Sequence, residues 1–189
     1  MNLLTALREA TRPLHTRIET SVNLMHPDFS PIDYRHLLTA FLGFYRPLED
    51  SLQRQADIHL WLPDYARRIK TPLLEKDLAA LGLDARAVAE LPVCDALPDC
   101  SGKSRTMGCL YVLEGSTLGG QMISRHLKHA RALDAEHGAA FFNGYGADTG
   151  SLWKTMLTHL EAPDLNEGEA VSAATDTFVT LTNWLTSRR

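Results

Sequence analysis

Between Ser104 and Leu133 apolar residues recur at helical spacing, and three glycines, Gly115, Gly119 and Gly120, fall inside that run. Glycine in a helix interior costs about 1 kcal/mol relative to alanine, so the three together cost roughly 3 kcal/mol. In a domain whose net stability is about 5 to 15 kcal/mol, something has to offset that. Without a Cβ the helix backbone itself is open to close approach, by a neighbouring helix or by a flat ligand. The segment Leu113 to Gln121 is therefore the candidate centre of a binding site, with helix packing as the competing account. Gly115-x-x-x-Gly119 also matches a packing motif of membrane helices, but Glu114, Gln121 and Arg125 exclude a membrane helix here.

The rest of the chain reads as helices joined by short breaks. Leu3, Leu7, Ala10, Leu14, Ile18 and Val22 form one apolar stripe, in a helix that Pro13 is expected to kink. Ser30-Pro31-Ile32-Asp33 supplies an N-cap, a proline at the first helical position and an acidic third residue, opening a helix to about Ala56 that Pro47 bends. Thr71-Pro72 starts another helix that Gly82 stops, and Asp84 caps a short one through Leu91. A loop runs from Pro92 to Gly102. Beyond the glycine helix, a short helix is expected from Asp134 to Phe142, a turn at Asn143-Gly144-Tyr145-Gly146, and a helix to about Leu160 capped by Asp148 or Thr149. The last helix runs from Asn166 to Arg189, with Val171, Ala174, Phe178, Leu181, Trp184 and Leu185 on its apolar face. No series of alternating strand-like runs occurs, so the fold class is all-α, in one domain over residues 1–189.

A net charge of −4 and the absence of long Lys/Arg runs argue against nucleic-acid binding. The first residues lack the basic start, apolar core and small-residue cleavage site of a signal peptide, and no stretch approaches the ~20 apolar residues of a membrane span. Cys94, Cys100 and Cys109 match no zinc spacing and fit reduced thiols of a cytoplasmic protein. The glycine segment lacks the Lys-Ser/Thr of a phosphate-binding loop, no Glu-x-x-His pair marks a di-iron bundle, and no nucleophile elbow is present. His126 and His129 are spaced to share a metal but have no third ligand in view, and read better as an exposed pair. Phe141, Phe142, Trp153, Phe178 and Trp184 read as core, which in a helical protein can also be a pocket wall.

On the first helix Arg8, Arg12, His15 and Glu19 follow at steps of four, three and four, which places them within about 60° of arc. A solvated helix face accounts for such a stripe. Its order also has a chemical reading: a neutral imidazole ligates a metal through Nε2 while a carboxylate one turn away holds its Nδ1 proton. Two arginines one and two turns earlier are placed to hold carboxylates of the same ligand.

Taken together, Leu7-Arg8-Glu9-Ala10-Thr11-Arg12-Pro13-Leu14-His15 and Leu113-Glu114-Gly115-Ser116-Thr117-Leu118-Gly119-Gly120-Gln121 resemble a haem oxygenase of the bacterial type. The similarity also takes in Gly43-Phe44-Tyr45-Arg46-Pro47-Leu48-Glu49 and the stretch from Tyr145-Gly146 to Trp153, and so covers nearly the full chain. The soluble enzymes that supply biliverdin to bacteriophytochromes are the nearest group. The resemblance implies a multihelical fold that sandwiches haem between a proximal helix and a kinked distal helix. It makes His15 the proximal iron ligand and Glu19 the carboxylate that orients it. Gly115, Gly119 and Gly120 become the distal glycines that lie close over the porphyrin. Arg8, Arg12 and Lys154 become partners of the propionates, Tyr45 a member of the distal hydrogen-bond network, and Phe178 part of the pocket wall.

One departure stands out: many family members carry an aspartate directly after the first distal glycine, where it organises proton-delivering water, and this chain has Ser116. A serine donates and accepts hydrogen bonds but holds no negative charge, so the water network is expected to rest on backbone carbonyls and Tyr45. By the same resemblance haem is substrate and cofactor, cleaved at a meso carbon to biliverdin, CO and ferrous iron with O₂ and an external electron donor such as a ferredoxin or reductase. Two alternatives compete with the enzyme: a haem carrier or sensor on the same scaffold, and a helical interaction domain in which the glycines only pack helices.

Overall fold

The computed structural model describes residues 2–188. Among these, the elements are helices α1 (Leu3–Val22), α2 (Pro31–Gln53), α3 (Ile58–Trp61), a 3₁₀ turn at Tyr65–Arg68, α4 (Thr71–Ala80), α5 (Ala85–Ala89), α6 (Gly102–Arg131), α7 (Ala140–Asn143), a 3₁₀ turn at Gly146–Asp148, α8 (Thr149–Leu160) and α9 (Glu167–Ser187). No strand occurs among the described residues. The expected end of the last helix at Arg189 lies outside them.

Local chemistry explains most of the boundaries. Ser30 and Asp33 form a reciprocal capping box, the Asp33 amide donating to Ser30 Oγ at 3.1 Å and the Ser30 amide to Asp33 Oδ2 at 2.8 Å. The Ser30 hydroxyl, donating to Asp33 Oδ2 at 2.6 Å, and after it the Ser30 amide hold the Asp33 carboxyl below the usual carboxylate range. Asn166 accepts from the Glu169 amide at 2.9 Å, and Asp84 from the Ala87 amide at 2.8 Å. At Asp148 the expected cap is diverted: the residue sits at the N-cap of α8, but its carboxylate pairs with Arg67 instead. Helix α4 is capped by a distant residue, since buried Glu49 of α2 accepts from the amides of Lys70 (2.7 Å) and Thr71 (2.9 Å).

One element differs from the sequence expectation. Residues 135–138 form turns in place of a helix, and only Ala140–Asn143 is helical. Asp134 Oδ1 takes the amides of Glu136 and His137, and Gly138 adopts φ +92°, both of which compete with helical hydrogen bonding. Helix α6, in contrast, is helical throughout Gly115–Gly120. The proline-bearing α1 and α2 likewise stay helical past Pro13 and Pro47.

α6 packs chiefly against α9, which also carries α1, while α7 and α8 cover α6 and α2 pairs with α4. Leu38, Phe44, Leu48, Met107, Leu113 and Ala174 fill the core between them. The closest backbone approaches fall at glycines the sequence did not single out. A Cβ on Gly108 would meet the Ala170 carbonyl oxygen of α9 at 2.2 Å, and one on Gly43 the Pro92 carbonyl oxygen at 2.5 Å. Cys94, Cys100 and Cys109 are buried and unpaired, and burial pushes the Cys109 thiol up to about 12.

The start of α7 hangs on one buried carboxylate. Asp77 of α4 accepts from the amides of Ala140 (2.7 Å) and Phe141 (2.8 Å), yet burial pushes its carboxyl up to about 6. An unfolded aspartate titrates near 3.9, so between these values the native state holds the extra proton. The stabilisation from that proton is complete below about pH 4 and is lost as pH rises through about 6. Lowering the pH from 7 to 5 is expected to stabilise the wild type relative to Asp77→Asn by about 1 kcal/mol. Urea melts of both proteins at the two pH values measure it; a constant difference between them refutes the assignment.

Candidate functional site

A cleft of about 470 Å³ opens between α1 and α6, with α8 and α9 closing it. The α1 wall carries Arg8, Arg12 and His15, the α6 wall Tyr111, Gly115 and Ser116, and Trp153 and Phe178 come from α8 and α9. The volume lies within the range of small-molecule and cofactor pockets, and mostly apolar walls with a few placed polar groups are typical of them.

Phe178 meets the edge of the His15 ring at a centroid distance of 5.9 Å and an interplanar angle of 81°. His15 Nδ1 lies 3.5 Å from Glu19 Oε2, one turn along α1, which leaves Nε2 as the ring nitrogen available to a ligand. Arg8 and Arg12 are exposed on the same wall.

Across the cleft Ser116 Oγ donates to the Leu113 carbonyl at 2.8 Å. Its one proton is thereby committed, so the 3.3 Å contact with Tyr45 has the tyrosine hydroxyl as donor. Tyr45 is fully enclosed, and burial pushes its hydroxyl pKa upward, so it stays a neutral donor.

The three glycines separate into two kinds. A Cβ on Gly115 would lie 3.6 Å from Trp153 Cη2, an ordinary contact, and one on Gly119 would meet nothing within 4 Å. Neither position is cleared for packing within the chain. Gly120 is: a Cβ there would lie 2.8 Å from the Phe142 carbonyl oxygen of α7. Successive helix positions are turned by about 100°, so Gly120, which the resemblance makes a distal glycine, faces α7. Gly119 lies one turn beyond Gly115, exposed and outside the cleft wall. Lys154, which the resemblance makes a propionate partner, is exposed on α8 and does not line the cleft that the preceding Trp153 helps to form.

Sequence reasoning missed a buried ionic cluster directly behind Gly115. Glu114, almost without solvent exposure, accepts from Arg68 Nη1 at 2.6 Å, from Tyr145 Oη at 2.8 Å and from Lys70 Nζ. Arg68 also makes a bidentate pair with Asp64, both contacts at 2.8 Å. Burial pushes the Asp64 carboxyl up, but the Arg68 guanidinium more than offsets this and holds it below the usual range. Two cations and two carboxylates balance, as charges out of water require. Arg68 and Lys70 look like surface residues in the sequence, as the neighbouring Arg67 is; the signal that marks the two as interior is the complementary Glu114, 44 residues beyond Lys70.

A second cleft of about 400 Å³ lies between the end of α1, the start of α2 and the end of α9. Its rim residues His26, Asp28 and His36 are exposed and its Asp33 is engaged in the capping box, so it presents no comparable constellation. Among the described residues no group of three or more His, Cys, Asp and Glu could hold a metal ion, and no helix is long and apolar enough to cross a membrane.

The fold is all-helical, and its aromatic-walled cleft sets a single imidazole, His15 of α1, across from Gly115 of α6. Residues 1–187 match the Heme oxygenase family model, and the chain belongs to that family. As a member it is a haem-degrading oxygenase that takes haem as substrate and cofactor. Among solved structures it is similar to the NO- and CO-bound haem oxygenase of Neisseria meningitidis, at a TM-score of 0.83 and 22% identity, covering 100% of this chain and 92% of that one. It is also similar to the haem oxygenase of Leptospira interrogans, at 0.73 and 18% identity, covering 99% and 100%. No curated protein matches the sequence.

Proposed function

We propose that the protein cleaves haem to biliverdin, CO and ferrous iron, with His15 as the proximal ligand. The observation that carries this reading is the pairing of His15, backed by Glu19, with the cleared face at Gly115 across the cleft. The residues present fit haem. Phe178, Trp153 and Tyr111 offer aromatic walls to a macrocycle, and Arg8 and Arg12 stand where carboxylates at its edge would reach water. When bound, haem supplies the iron that activates O₂ and the meso carbon that is oxidised, with electrons from an external donor such as a ferredoxin or reductase.

The protein's own part is to hold and orient. Glu19 favours the tautomer with Nδ1 protonated and frees Nε2 for the iron. A neutral imidazole donates less electron density than a thiolate, which restrains O–O cleavage. Gly115 lets the α6 backbone approach the ring, and the Tyr45 hydroxyl, donating to Ser116, supports a hydrogen-bonding site on the distal side. In this reading the enzyme is cytoplasmic, and a bilin acceptor of the bacteriophytochrome type takes the product.

One observation favours a second reading, a haem carrier or sensor. Where a carboxylate would organise proton delivery, the α6 wall carries Ser116, its hydroxyl proton bound to Leu113. Haem, O₂ and an electron donor separate the two. A Soret band that bleaches to biliverdin absorption, with CO released, is the expected result; a stable oxy or ferric complex overturns the enzymatic reading and leaves the carrier.

A further inference from the structure

The buried cluster behind the cleft has a geometry that charge balance does not require. The Arg68 guanidinium bonds to the carboxylate of Glu114 in α6 and, through Nη2 at 3.3 Å, to the backbone carbonyl of Leu152 in α8. Glu114 directly precedes Gly115 and Leu152 directly precedes Trp153, two neighbours that both line the cleft. One side chain, itself without solvent exposure, thus ties the Glu114 side chain of α6 to the α8 backbone beside that pair. The Tyr111 and Trp153 rings lie 5.8 Å apart along the same seam, so the separation of α6 and α8 sets the width of this wall.

We propose that Arg68 is a positioning residue that fixes the α6–α8 separation and thereby the placement of a flat ligand against Tyr111 and Trp153. The proposal rests on the reading of the cleft as the haem site. Among the cations of the cluster only Arg68 reaches α8, since Lys70 bonds to Glu114, Tyr145 and the Arg68 carbonyl. Arg68 anchors the tie to its own segment through the bidentate pair with Asp64. A planar guanidinium fixes the directions of its acceptors relative to one another, whereas an ammonium on a flexible stem, as in Lys70, rotates to suit them.

Arg68→Met is the informative substitution. It leaves Glu114 with Lys70 as counterion and Tyr145 as donor, so no buried charge is stranded, and Asp64 is partly exposed. Tyr145→Phe is the control: it removes the hydroxyl's bonds to Glu114, Lys70 and the Arg68 backbone carbonyl but keeps the tie made by the Arg68 side chain. In ligand-free protein, the indole N–H resonance of Trp153, assigned through Trp153→Phe, is expected to move in Arg68→Met and to stay in place in Tyr145→Phe. With haem, Arg68→Met is expected to raise Kd about tenfold and to change the ratio of biliverdin isomers, because a widened wall admits more than one ring orientation. If Arg68→Met does not fold, Arg68→Lys carries the same expectations. An unmoved Trp153 resonance in the folded Arg68 variant, or equal shifts in both substitutions, overturns the proposal. Failure of the wild type to degrade haem sinks the haem reading instead, while the ligand-free spectra still decide the tie.

Discussion

His15→Ala is expected to abolish haem turnover and the axial-ligand spectrum while leaving the fold intact. The His15 side chain is 47% exposed and its ionic neighbour Glu19 is 63% exposed, so its removal strands no buried charge. Surface substitutions of that kind change stability by about 0.5 kcal/mol or less. The effect on function is of another order, because no second histidine lines the cleft. Turnover below about one hundredth of wild type is expected, the scale on which loss of a metal ligand exceeds the 10- to 100-fold cost of losing the residue that orients it. Glu19→Gln gives the smaller figure: it retains a hydrogen-bonding side chain and loses only the charge that favours the Nδ1–H tautomer. Exogenous imidazole is expected to restore the axial spectrum of His15→Ala, since the deleted ring leaves a space open to the cleft. Unchanged turnover in His15→Ala refutes the ligand assignment.

What was legible in the sequence was what is local. The Ser30–Asp33 box, the Asp84 cap and the apolar faces of α1 and α9 each depend on residues within a turn or two of one another. His15 and Gly115 lie a hundred residues apart, and only their joint resemblance to a family brought them together before the fold did. The ionic cluster had no such help. Arg68 reaches Glu114 across 46 positions, and nothing in the spacing of a Lys/Arg-containing segment distinguishes a buried cation from a solvated one. The expected helix from Asp134 failed for a related reason: the acceptor for the Ala140 and Phe141 amides is Asp77, more than 60 residues earlier, so the helix begins where that carboxylate is. Gly43 and Gly108 make the closest backbone approaches of all, yet single glycines carry no signature of what will pack against them.

The adjacent glycines of α6 offer a test in which two substitutions are expected to act in opposite ways. At Gly119 a larger residue meets open space, and leucine is the better helix former by about 0.8 kcal/mol, so Gly119→Leu is expected to leave stability unchanged or slightly raised. Gly119 itself lies outside the cleft wall, but a helical side chain leans back over the preceding turn, here that of Gly115 where the proposed ligand lies, and haem affinity is expected to fall about a hundredfold, near 2.7 kcal/mol. At Gly120 alanine gains about 1 kcal/mol of helix propensity but sets a methyl group 2.8 Å from the Phe142 carbonyl oxygen, where both partners are backbone. Overpacking of that kind costs about 1 to 3 kcal/mol, so the clash outweighs the propensity gain. Gly120→Ala is therefore expected to lower stability by about 1 kcal/mol and Tm by about 2 to 4 °C, with haem affinity in the folded protein retained. Calorimetry and haem titration on the two variants read both quantities. Wild-type haem affinity and normal O₂ binding in Gly119→Leu would show that no ligand approaches that face, and a stabilised Gly120→Ala would show that α7 yields to the helix.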